Sequence, residues 1–269
     1  MSEYLANTVG RTLWTGTLLI GVPLVVARLL HVISDKIRSI GCCYGRAYWY
    51  FVAIGVACHE TGHAVGAWIT GNRVLEFVPF AIDREDAPYP NVLGWVRHTI
   101  GRGVWGAVSK AIISTGPIWF GSIVILFLTR FLVGQEMNIS YYDYFMNGEL
   151  PGLFSYITAC LRCAILFCCE IAGGALFSGW KIFVWAYLVF CIASEMGMSD
   201  IDFKLAKIGL ALIIGSVIAL LFLPFAGRWI SIWVAVLLPK FFIVHVLMML
   251  AVLINIGFLF LEKFIVRIT

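Results

Sequence analysis

Long apolar runs separated by short polar breaks occupy most of the chain, near residues 13–33, 48–70, 111–133, 153–177, 180–196, 205–225 and 230–260. Each is close to the ~20 residues that an α-helix needs to cross ~30 Å of hydrocarbon. Pro239 is expected to interrupt or bend the last run. The pattern predicts an all-α polytopic membrane protein with about seven transmembrane helices (six to eight). The extended stretch, 71–106, breaks the helical pattern. Its segments 74–80 and 92–98 are β-prone and flank a turn-rich loop at 83–91, which predicts a small β-hairpin on the membrane surface.

Composition agrees with that class. The chain is 61% hydrophobic and 13% charged, with a mean hydropathy of +0.95, outside the range of a soluble domain. No stretch is polar enough for a separate soluble unit, so 1–269 is expected to be one integral membrane domain, multi-pass and in the cell membrane. The net charge of +4 is spread along the chain and points to no nucleic acid. The first run carries Arg28 and ends without a small-residue cleavage site, so it is expected to be retained rather than removed as a signal peptide. Basic residues in 71–110 and acids alone in 132–151 place the segment after the second run in the cytoplasm, although Lys36, Arg38 and Arg46 pull the other way. Most of the eight cysteines lie in apolar runs and read as small hydrophobes, the Cys160–Cys163 pair included.

The second run contains His59-Glu60-Thr61-Gly62-His63. Histidines at i and i+4 project from one face of a helix and can hold one metal ion, while the glutamate between them is placed to act on water. Ionisable groups at membrane depth are costly and mark function by default. Two histidines leave a catalytic zinc site one protein ligand short. The remaining acids near the apolar runs are Glu170, Glu195, Asp200 and Asp202. Glu170 lies two helical turns from Arg162 and reads as a charge partner. Asp200, Asp202 and Ser199 all sit where a helix begins, so an N-cap role competes with ligation, and spacing alone leaves Asp200 and Asp202 both open.

A membrane-embedded HExxH, a Gly-Pro in a later run (Gly116-Pro117) and a downstream Asp motif together resemble the site-2 protease family of intramembrane zinc metalloproteases, over about residues 48–223. The resemblance implies that His59 and His63 ligate Zn2+ and that Glu60 is the general base. It implies a third ligand from an Asp on a later helix. The family's common Leu-Asp-Gly and Asn-Pro-Asp-Gly forms are missing; Ser199-Asp200-Ile201-Asp202 is similar to a Ser-x-x-Asp form of compact prokaryotic members and favours Asp202 over Asp200. If 153–177 and 180–196 both crossed the membrane, Asp202 would emerge on the wrong side, so one of them is expected to be re-entrant or broken near 173–174 or 179. The family's inserted PDZ domain has no counterpart in these residues, and a membrane partner subunit or the hairpin is expected to replace it.

The implied activity is cleavage of peptide bonds in or near transmembrane segments of membrane protein substrates. Two alternatives stand beside it. A CAAX-processing type of membrane zinc protease would use Glu170 or Glu195 on the metal. A pseudoprotease or accessory subunit would keep the fold to bind membrane helices without cleaving them. Gly62 and Gly66 form a small-xxx-small pair that reads first as ordinary close helix packing, with the helix carrying the Asp as a candidate neighbour. His31, His98 and His245 lack metal-ligand spacing and read as packed or interfacial histidines, His98 being the one to check for a cleft contact.

Overall fold

A computed structural model describes residues 10, 13–82, 92–134, 152–221 and 224–268. Helical residues 13–16 pass through a π turn at Thr17–Gly21 into α1 (Val22–Gly41). It is followed by α2 (Arg46–Ile69), strands β1 (Val74–Val78) and β2 (Trp95–His98), and α3 (Gly103–Leu128), which continues as a π turn to Val133. Then come α4 (Leu153–Ser178), α5 (Lys181–Glu195), α6 (Asp200–Leu221) and α7 (Pro224–Ile268). The two strands pair antiparallel, with Phe77 opposite Val96 and Val78 opposite Trp95, and a bulge between Val74 and Glu76. The hairpin is therefore present where the alternating β-prone segments placed it, while its turn at 83–91 lies outside the described residues.

Seven spans were expected from the apolar runs. Among the described residues four helices are long and apolar enough to cross a membrane: Gly103–Val133, Leu153–Ile171, Asp200–Leu220 and Phe241–Leu261. The shortfall has local causes. α5 has 15 residues and rises only ~22 Å, less than the hydrocarbon thickness. α1 carries Arg28, Asp35, Lys36 and Arg38 within 20 residues. α2 is long enough, but His59, Glu60 and His63 interrupt its apolar character. α4 runs unbroken through 173–174 to Ser178, and the chain turns between the two runs at Gly179, whose φ of 55° lies in the left-handed region that favours glycine. The interruption expected at Pro239 does not occur, since α7 continues past it as one helix. A membrane helix tolerates a proline where neighbouring groups satisfy the freed carbonyl.

The core draws on most of the helices, with Leu30, Val52, Ile118, Val189 and Leu250 in one buried cluster. α2 is its axis. Gly62 of α2 packs on Gly116 and Pro117 of α3, and a Cβ at Gly62 would come within 2.7 Å of Pro117 backbone atoms. Gly66 meets Ile113 in the same way, with a Cβ there 2.9 Å from Ile113 Cα. The small-xxx-small pair thus brings in the Gly-Pro helix, running antiparallel to α2, and not the helix that carries Asp202. On another side α5 runs parallel to α2. The Tyr187 hydroxyl donates to Phe51 O at 2.9 Å, and Glu195 reaches the level of His59.

Candidate metal centre

The i,i+4 spacing on α2 turns both imidazoles to one side, with Nε2 of His59 and Nε2 of His63 3.0 Å apart. Each ring is held from behind by a backbone carbonyl. His59 Nδ1 is 2.5 Å from Glu195 O, and His63 Nδ1 is 2.8 Å from Ile113 O. A carbonyl only accepts, so the proton sits on Nδ1 in both rings, and in the neutral imidazoles both Nε2 lone pairs face inward. Metal-bound histidines are held in this way by their other ring nitrogen. Glu195 is the last residue of α5, where a helix carbonyl has no partner of its own.

The third group arrives through a sharp turn. α5 ends at Glu195, residues 196–199 are non-helical, and α6 starts at Asp200. Ser199 is the N-cap of α6 and Asp202 its N3 residue. The Ser199 hydroxyl donates to Asp202 Oδ2 at 2.6 Å, the Ser199 N–H reaches the same oxygen at 3.2 Å, and the Asp202 N–H donates back to Ser199 Oγ at 3.1 Å. This is a capping box with aspartate in the glutamate position. Asp202 Oδ1 then lies 3.5 Å from His63 Nε2, and Oδ2 lies 3.9 Å from His59 Nε2. One ligand atom from each of His59, His63 and Asp202 lies within 4.8 Å of the others, and the three can hold a metal ion.

The fit to a metal is testable on these distances. Two ligands each ~2.0–2.2 Å from one zinc cannot be more than ~4.4 Å apart. The Nε2–Nε2 separation of 3.0 Å and the Asp202 approaches of 3.5 Å (Oδ1 to His63) and 3.9 Å (Oδ2 to His59) each lie within that bound, the last two through different carboxylate oxygens. Two imidazole lone pairs and a carboxylate facing one another with no donor among them repel, and a cation removes the repulsion. The side chains of His59, His63 and Asp202 are 14%, 12% and 12% exposed, shielded yet reachable.

They line a cavity of about 740 Å³ between α1, α2, β2, α3 and the α5–α6 turn. Glu60 faces the same cavity and passes close to Gly94, where a Cβ would come within 2.8 Å of its Cγ. That approach explains a glycine immediately before β2. His98 also lines the cavity, with Nδ1 3.0 Å from Thr99 O.

The other acids have different work. Asp200 bonds Arg28 at 2.5 Å and is 63% exposed. Glu170 is exposed on α4 and outside the cavity lining. Glu195 lines the cavity, but its carboxylate pairs with Arg38 of α1, and only its carbonyl meets His59. Ser34 adds a hydroxyl donated to Ser194 O at 2.5 Å, so α1 clamps the turn that delivers both the His59 acceptor and Asp202. Sequence reasoning missed Arg38. The available signal was a basic residue at the end of one apolar helix and an acid at the end of another, which low-dielectric surroundings drive together.

No family model, curated protein or solved structure matches the chain.

Proposed function

We propose that this protein is an intramembrane zinc metalloprotease of the site-2 protease type, acting on the transmembrane segments of membrane proteins. The observation that carries the reading is the convergence of Asp202 with the two Nε2 atoms of an HExxH helix. The ligands on this reading are His59, His63 and Asp202, and the metal is zinc, to which imidazole and carboxylate donors in a three-ligand set are suited. Zinc bound there supplies Lewis acidity, which makes water a nucleophile near neutral pH and polarises a carbonyl.

This chain's residues do the rest. Glu60 takes a proton from the attacking water and returns it to the departing amine nitrogen. The Glu195 and Ile113 carbonyls hold the imidazoles in one tautomer and orientation. Val56, Ile113 and Leu205 supply apolar walls to a cavity whose other lining residues include Arg38, Arg97 and Lys110. A transmembrane helix must unwind before its peptide bond reaches such a site. β2 lies beside Glu60, and a sheet edge there supplies main-chain partners for the unwound strand.

Depth supports the intramembrane reading. Trp68 at the end of α2 and Trp105 at the start of α3 are 75% and 58% exposed, as aromatic residues of a membrane interface are. His63 and His59 lie five and nine residues below Trp68, ~8 and ~14 Å along the helix axis. The four long apolar helices support a multi-pass placement. Neither Glu170 nor Glu195 offers its carboxylate to the histidines, so nothing favours the CAAX-processing alternative. A pseudoprotease would share the ligand geometry and differ in turnover. The test is cleavage of single-span model substrates in proteoliposomes, with the products mapped by mass spectrometry. A cut within the membrane-spanning segment that is abolished by chelation and restored by zinc supports the proposal. Zinc-loaded protein that leaves every such substrate intact while binding it supports the pseudoprotease.

A further inference from the structure

The carbonyl that orients His63 is available because of a proline. In an α-helix each carbonyl accepts from the N–H four residues later. The donor for Ile113 O would be residue 117, and Pro117 has no N–H. α3 nevertheless runs from Gly103 to Leu128 with Pro117 inside it. Ile113 is 3% exposed, so its carbonyl loses the ladder bond at a place where water is scarce and where an unsatisfied acceptor is costly. His63 Nδ1 lies 2.8 Å away and supplies the missing proton.

Two further contacts hold this arrangement. Gly66 lets α2 lie directly on the Ile113 backbone, and Gly62 does the same at Gly116 and Pro117. The proline, the freed carbonyl and the histidine are therefore held in one tight helix crossing. We infer that Pro117 is a positioning residue for the metal centre: by withholding an N–H it leaves Ile113 O to accept the His63 Nδ1 proton, which keeps the Nε2 lone pair turned towards His59 and Asp202. The inference rests on the reading of His63 as a metal ligand. A proline that served only to wedge the two helices apart would owe its role to the ring, and the missing N–H would be incidental.

Those two roles separate chemically. Pro117→Ala removes the ring and restores an N–H that competes for Ile113 O. Lactic acid at position 117, installed by nonsense suppression, also removes the ring but replaces the N–H by an ester oxygen. The full chain is prepared in lipid nanodiscs in all three forms. Zinc affinity is read by competition with a chromogenic chelator, and the His63 tautomer by 15N chemical shifts of histidine-labelled, zinc-free protein.

Pro117→Ala is expected to bind zinc ~10–100-fold more weakly, the usual loss when a partner behind a metal-bound histidine is removed. Its His63 is expected to shift towards the tautomer protonated at Nε2. The lactic acid protein is expected to match wild type in both readouts. Equal loss in the alanine and lactic acid proteins would overturn the inference, as would wild-type zinc affinity with an unchanged tautomer in Pro117→Ala. If wild type itself bound no zinc, the proposed function would fall, and the tautomer comparison would still decide the role of Pro117.

Discussion

Ser199 and Asp202 hold each other across the first turn of α6: the serine hydroxyl donates to Asp202 Oδ2 at 2.6 Å and accepts from the Asp202 N–H at 3.1 Å. One carboxylate oxygen is thereby committed to the helix end, and Oδ1 is aimed at His63, 3.5 Å away. Capping and metal binding looked like rival roles for this aspartate, but the cap is what sets the carboxylate's direction. Ser199→Ala is expected to cost about 1 kcal/mol of stability, as N-cap losses do, and to weaken zinc binding ~10-fold. Thermal unfolding without metal and a chelator competition check the two parts separately. Ser199→Thr, which keeps the hydroxyl, is expected to recover most of both.

Asp202→Asn isolates the charge. The amide oxygen can still accept from Ser199, so metal-free stability is expected to stay within about 1 kcal/mol of wild type. The proposed zinc site would lose its anionic ligand, and metal content after dialysis is expected to fall to background. Asp202→Ala should lose metal and also unfold at a lower temperature than Asp202→Asn. Elemental analysis and calorimetry on the same preparations read both quantities.

The α2–α3 crossing makes a steric prediction. A Cβ at Gly62 would press on Pro117 backbone atoms at 2.7 Å, and backbone cannot rotate away. Gly62→Ala is expected to destabilise by ~1–3 kcal/mol, the range for overpacking, and to impair zinc binding by shifting α3 and its Ile113 carbonyl. Gly215 in α6 has nothing within 4 Å of a built Cβ. Gly215→Ala is expected to be neutral or to stabilise by about 0.5–1 kcal/mol, the gain in helix preference. Thermal unfolding of the two variants gives the contrast.

The Arg38–Glu195 pair joins a half-exposed guanidinium, 37% exposed, to a carboxylate that is 6% exposed. Removing only the arginine strands a buried charge. Arg38→Met is therefore expected to destabilise by an amount near the lower end of ~3–5 kcal/mol, and to displace the Glu195 carbonyl from His59. Arg38→Met combined with Glu195→Leu removes both charges and is expected to recover most of that loss. A double-mutant cycle by chemical denaturation measures the coupling.

How much of this was legible in sequence follows from range. The i,i+4 histidines are a local pattern, and α2 presents them together as that pattern requires. Asp202 was reached through its Ser-x-x-Asp setting, which is also local, and the structure places it at the histidines while Asp200 turns outward to Arg28. The number of spans was not legible. An apolar run reports partition into a dry environment, and the same composition serves a 15-residue helix such as α5 that stops at the level of His59. The partner of Gly62 and Gly66 was assigned to the wrong helix because a small-residue face says that something approaches closely and not what it is. The Arg38–Glu195 pair spans 157 positions, a separation at which charge pattern carries no register.

The central claim is hydrolysis inside the membrane with Glu60 as the base, and one comparison tests it most directly. Wild type and Glu60→Gln are loaded with equal zinc, reconstituted in proteoliposomes with a fluorogenic single-span substrate, and their initial cleavage rates are compared. Glu60 is not among the three converging ligands, so the variant is expected to retain its metal. Wild type is expected to cleave, and Glu60→Gln at a rate at least ~100-fold lower, the loss expected for a missing general base. Equal rates from the two zinc-loaded proteins would contradict the claim.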